Sequence, residues 1–167
     1  RLAVEGRAEV PRIEPAADGG GSMLATVLSS CEDSQERADR ALVLLTRHTR
    51  CKGGFLYTLR TEGPALVASR GERKPPPQLD ALVNRFVVEQ VRPREVTRSQ
   101  YLTPSLPDTS TSWCEPDGTQ FVPMLLAHRG ELGLCVTAVA VMWLRPEAKY
   151  RVPTRLLTSL SRSLQES

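Results

Sequence analysis

The sequence predicts an α+β domain in which helices pack against an antiparallel sheet. Three observations carry that class. Apolar residues recur at the i, i+3, i+4, i+7 spacing of an amphipathic helix over 34–50, after Pro77 and after Pro153. Strand-like runs occupy 55–60, 65–69, 120–127 and 134–144. The links at Glu62-Gly63-Pro64 and around Arg129-Gly130-Glu131 are too short for parallel crossovers, which need about a dozen residues, so each flanking pair of runs is a hairpin.

In chain order, residues 1–22 contain Pro11, Pro15 and Asp18-Gly19-Gly20-Gly21-Ser22, the composition of a flexible linker or tail, and 23–167 form the domain. Met23, Leu24, Val27 and Leu28 predict a lead-in helix over 23–30. Asp33 with Glu36 has capping-box spacing and opens a helix from Ser34 to Arg50, with Ala38, Ala41, Leu42, Leu45 and Thr49 on one stripe. Gly53-Gly54 is expected to stop it through a left-handed glycine. Phe55, Tyr57 and Leu59 then alternate as in a half-buried strand, paired with Ala65 to Ser69.

After Lys74-Pro75-Pro76-Pro77, the face Leu79, Leu82, Val83, Phe86 and Val87 predicts a helix that ends before Pro93. A short strand is expected over Glu95 to Arg98. Residues Gln100 to Asp117, rich in Pro, Ser and Thr, read as a long loop carrying Trp113 and Cys114, and loops of that length are commonly functional. Two strands follow, Gln120 to Ala127 and Leu134 to Leu144. Pro153 opens a last helix with Leu156, Leu157, Leu160 and Leu164 on one side.

Composition excludes several classes of function. Of the 167 residues 22 are basic and 19 acidic, a net charge of +3 with the signs interspersed, so the electrostatic footprint of a nucleic-acid binder is missing. The longest uncharged apolar stretch, Leu132 to Leu144, falls short of the roughly 20 residues of a membrane span. A first residue of Arg and the absence of a signal-peptide core suggest a piece of a longer cytoplasmic protein. Cys31, Cys51, Cys114 and Cys135 offer no closely spaced pair for zinc and read as reduced, structural thiols.

Three segments resemble the GAF domain family, the sensor modules of signalling proteins, in its kinase-associated form. The first is Leu24 to Leu28 with the helix to Cys51 and then Gly53-Gly54-Phe55-Leu56-Tyr57. The second is Phe121-Val122-Pro123-Met124-Leu125-Leu126 with Gly133-Leu134 and Val139-Ala140-Val141, and the third is the helix after Pro153. The long loop before Gln120 departs from the family pattern. The resemblance implies a PAS- and profilin-like sheet of five or six strands, the first and last helices on one face and a ligand pocket on the other. It also implies pocket residues Arg98, Tyr101, Trp113, Cys114 and Phe121, with an unidentified small molecule as ligand. An adjoining kinase or other output domain is the expected partner.

Known chemistries of that family fit poorly. Asn84-Arg85-Phe86 and Glu89 share letters but not spacing with its cyclic-nucleotide signature, and Cys114 precedes Glu115 where bilin-binding relatives commonly carry His. His48 and His128 read as surface or capping imidazoles rather than haem ligands, so no cofactor and no metal are expected. Catalytic residues are not expected either. The alternatives are a small thiol-based redox enzyme or sensor acting through Cys114, and a purely structural module that dimerises through its terminal helices. Val43 and Leu44 widen the first helix's apolar face in favour of such a homodimer.

Overall fold

The computed structural model describes residues 26–91, 112–144 and 152–165. The expected tail at 1–22, the strand at 95–98, and the candidate residues Arg98 and Tyr101 lie outside them. The described elements run α1 (26–29), α2 (Ser34–Thr49), β1 (Gly53–Arg60), β2 (Gly63–Arg70), α3 (Leu79–Val91), β3 (Trp113–Cys114), β4 (Gln120–Gly130), β5 (Gly133–Leu144) and α4 (Thr154–Gln165). All strand pairs are antiparallel in one five-stranded sheet of order β2-β1-β5-β4-β3. The α+β class and the antiparallel sheet are as the sequence predicts.

Helix α2 begins where the capping signal places it. Asp33 accepts a hydrogen bond from the Glu36 N–H at 2.6 Å, and the Glu36 carboxylate accepts one from the Glu32 N–H at 3.1 Å. Its buried stripe is Ala38, Ala41, Leu42, Leu45, Thr46 and Thr49. The left-handed residue that ends it is Arg50, at φ 54°, and not a glycine: Gly53 and Gly54 are already strand. In α1, Leu28 is buried while Val27 is exposed to 38%.

The sheet is covered on both sides. Helices α2 and α4 pack with Leu28 on one face, over Leu56, Ala68, Met124, Leu126, Ala138, Ala140 and Met142. Helix α3 lays Leu79, Val83 and Phe86 on the other face, over Phe55, Tyr57, Phe121, Val139, Val141 and Trp143. Strand β1 is therefore buried on both faces from Gly53 to Tyr57, where half-burial is expected from its alternation. The Tyr57 hydroxyl reaches Asp80 in the first turn of α3 at 2.9 Å, and burial followed by that carboxylate raises its pKa well above the usual phenol value.

Two further expectations are corrected. Trp113 and Cys114 are a short strand and not loop, Trp113 pairing with Phe121 and Cys114 with Gln120. His128 is neither in a turn nor on the surface: β4 continues to Gly130, and His128 is buried with its Nδ1 2.9 Å from the Ser161 hydroxyl of α4. Ser161 also shares a 2.8 Å hydrogen bond with Thr137 of β5. His48, by contrast, is exposed in the last turn of α2.

Candidate functional site

One cross-strand row organises the α3 side of the sheet. Trp113 of β3 stands opposite Phe121 of β4, Phe121 opposite Trp143 of β5, and Trp143 opposite Gly53 of β1. Directly opposed residues share a face, so three aromatic side chains and one vacancy lie in line. The vacancy is used by Trp143: a Cβ on Gly53 would stand 1.9 Å from the indole Nε1 and 2.2 Å from the Arg70 carbonyl oxygen. Gly71, at φ +101°, makes a second gap, since its Cβ would stand 2.2 Å from Trp143 Cζ2. Among the described residues the buried Nε1–H has no hydrogen-bond partner, so no hydrogen bond from them fixes the indole's position.

Arg73, on the connection between β2 and α3, lays its guanidinium 5.6 Å from the Trp143 ring centroid. The same group pairs with Glu115 at 2.5 Å through Nη1 and with Asp117 through Nη2. Both carboxylates belong to the tight turn between β3 and β4. There Gly118 N–H donates to the Glu115 carbonyl, Glu115 N–H to the Thr119 carbonyl, and Thr119 N–H to Asp117 Oδ1, each at 2.9 Å. The Arg73 pair, aided by the Thr119 N–H, holds the Asp117 carboxyl well below the ordinary carboxylate range, at about 2.

Beside this group opens a cleft of about 220 Å³ lined by Lys52, Arg73, Asp117, Gly118, Thr119, Trp143 and Leu144. Its chemistry is that of binding: an aromatic wall, both signs of charge and a threonine. A carboxylate held ionised by an arginine is a poor general base near neutrality, because proton uptake must break the pair.

Of the residues expected from sequence, Phe121 is buried within the α3-side cluster, 6.4 Å from the Phe55 ring, and Trp113 packs half-buried at its edge. Cys114 is exposed one position before Glu115. Lys52, Arg73, Asp117 and Trp143 are not among the residues expected from sequence. The one local signal for them is a tryptophan inside a strand run that faces a double glycine, and the pairing that joins them links residues as far apart as Gly53 and Trp143.

No family model matches the chain, and no curated protein matches it. Among solved structures it is similar to the crystal structure of the GAF domain of a protein described as a sensor histidine kinase from Pseudomonas syringae pv. tomato. The two are 13% identical, with 86% of this chain and 77% of that chain covered and a TM-score of 0.44. No helix among the described residues is long and apolar enough to cross a membrane.

Proposed function

We propose that this chain is a cytoplasmic, non-catalytic regulatory domain that holds a small molecule at the Trp143 cleft and passes its occupancy to an adjoining output domain such as a kinase. The observation that carries the reading is the position of the cleft on β5. Trp143 and Leu144, which wall it, are the last residues of the strand that pairs with both β1 and β4, and the next described helix in the chain is α4. Occupancy therefore acts on the end of β5 that leads to α4. To act as a signal, the ligand must bind one arrangement of that end better than another.

Native mass spectrometry of the protein from its source cells tests the reading. A mass surplus that denaturation removes is the expected result, and substitution Trp143→Ala is expected to abolish it. Retention of the surplus in that variant would move the ligand away from this cleft. The charge-state series of the same spectra tests the proposed dimerisation through the terminal helices. A thiol-based sensor acting through the exposed Cys114 is the second reading, and Cys114→Ala separates the two, since only the thiol reading expects the response to vanish.

A further inference from the structure

We propose that the Trp143 cleft recognises a small organic cation of the guanidinium class, and that Arg73 is a built-in occupant which such a ligand displaces. This rests on reading the cleft as the domain's ligand site. The chain itself displays the recognition: an aromatic face and two carboxylates surround one guanidinium, which is the combination that binds a delocalised cation by ring quadrupole and paired hydrogen bonds. The turn holds the Asp117 carboxylate and the Glu115 backbone in place independently of Arg73. Thr119 N–H occupies Asp117 Oδ1 and leaves Oδ2 toward the cation, and two further backbone hydrogen bonds close the turn at Glu115.

Arg73 can be displaced without unfolding its surroundings. It lies between β2 and α3 in a connection without helix or strand, with its side chain 36% exposed, so its departure disrupts no element. The adjoining cleft gives the rest of a ligand somewhere to lie, against Leu144 and Thr119. Lys52 on the same wall selects against a second positive charge and favours a neutral or carboxylate tail. The class that fits is a guanidinium head on a short chain that ends in a carboxylate.

An internal competitor lowers apparent affinity by the fraction of time it vacates the site. Its removal is thus expected to tighten binding by about ten- to a hundredfold. The test uses a Trp113→Phe background, in which Trp143 is the remaining tryptophan, and follows its fluorescence during titration with 4-guanidinobutyrate, with glutarate as the cation-free control. Saturable binding that tightens at least about tenfold in Arg73→Gln, and disappears when Glu115→Gln and Asp117→Asn are added, is the expected result. Circular dichroism of each variant verifies that it is folded.

Equal affinity with and without Arg73, or binding that survives loss of both carboxylates, overturns the proposal. Saturation by glutarate but not by 4-guanidinobutyrate overturns the cation class and leaves the cleft standing as a ligand site. Response to neither compound also overturns the cation class, and the native mass of the protein from its source cells then decides separately whether the cleft holds a ligand.

Discussion

Gly53 shows how a missing side chain positions a functional one. Its Cβ would meet the indole of Trp143 at 1.9 Å and the Arg70 carbonyl at 2.2 Å, and the second of these is backbone that cannot rotate away. Gly53→Ala is therefore expected to destabilise the domain by about 1–3 kcal/mol or more through overpacking, and to shift tryptophan emission as the ring is displaced. Gly63→Ala is the comparison: its φ is +122° but no atom lies within 4 Å of the added carbon, which leaves backbone strain as the whole effect. Urea denaturation of both variants checks the contrast, and a Gly53→Ala protein as stable as wild type would show that Trp143 is not held by this gap.

Asp117 offers a second test at the same scale, with a defined pH window. Its folded pKa of about 2 lies below the ordinary 3.8, so the interaction stabilises the fold above about pH 4 and is lost as pH falls through about 2. Carbon NMR titration of the Asp117 carboxyl is expected to show it ionised at pH 3 in the wild type, and its midpoint is expected to rise in Arg73→Gln while staying below the ordinary value, because the Thr119 hydrogen bond remains. A wild-type midpoint near 4 would mean that Arg73 does not occupy this carboxylate in solution.

Among the elements, α4 is fixed to the sheet by a polar contact as well as by its leucines. Ser161 is fully buried between His128 of β4 and Thr137 of β5, and the Thr137 hydroxyl also donates to the Ser161 carbonyl at 3.1 Å. A serine committed in this way cannot present a nucleophile to solvent, so its pairing with His128 is structural. Ser161→Ala leaves His128 Nδ1 buried without this partner. That should cost about 1–3 kcal/mol and speed amide exchange in α4 more than in α3. Unchanged exchange in α4 would assign its docking to Leu156, Leu160 and Leu164 alone.

The helices were legible in the sequence because a period near 3.6 survives in one element read alone: the α2 stripe appears as written, and of the α3 face Leu79, Val83 and Phe86 are buried while Leu82 and Val87 are half-buried. The ends of the strands were less legible. Arg129-Gly130-Glu131 punctuates early and predicts a turn at His128, whereas the ladder continues through Arg129↔Leu134 to Gly130↔Gly133 and turns at Glu131 and Leu132. Alternation in β1 predicts one wet face, but α3, which begins only at Leu79, covers it, and no local pattern records that. The cleft was illegible for a similar reason. Arg73, Glu115 and Trp143 carry no motif, and only the register of four strands and a connection brings them together.

The edge strand β2 shows an element managed at both levels. A bulge leaves Val67 without a partner between Leu56↔Ala68 and Tyr57↔Leu66, and its carbonyl accepts a 2.6 Å hydrogen bond from the Gln35 side chain of α2. With Pro64 lacking a donor, the outer edge offers a poor template for another strand. Leu44, part of the apolar surplus that suggested a dimer, packs against the α2–α4 cluster within this same chain.

At the scale of the whole molecule, a signal that enters at Trp143 and leaves through α4 requires that the two faces of the sheet not come apart. Strand β5 supplies the connection residue by residue: Val139, Val141 and Trp143 belong to the α3-side cluster, and Ala138, Ala140 and Met142, interleaved with them, belong to the α2–α4 side. Displacement of either set moves the other, because one backbone carries both. The domain is therefore expected to unfold as a single cooperative unit. Urea transitions followed by tryptophan fluorescence, which reports the α3 side, and by far-ultraviolet circular dichroism, weighted toward the helices, should superimpose. If fluorescence changed at lower urea while helical signal persisted, the α3 layer would be a separate unit. The cleft would then lack the mechanical continuity with α4 on which a regulatory role depends.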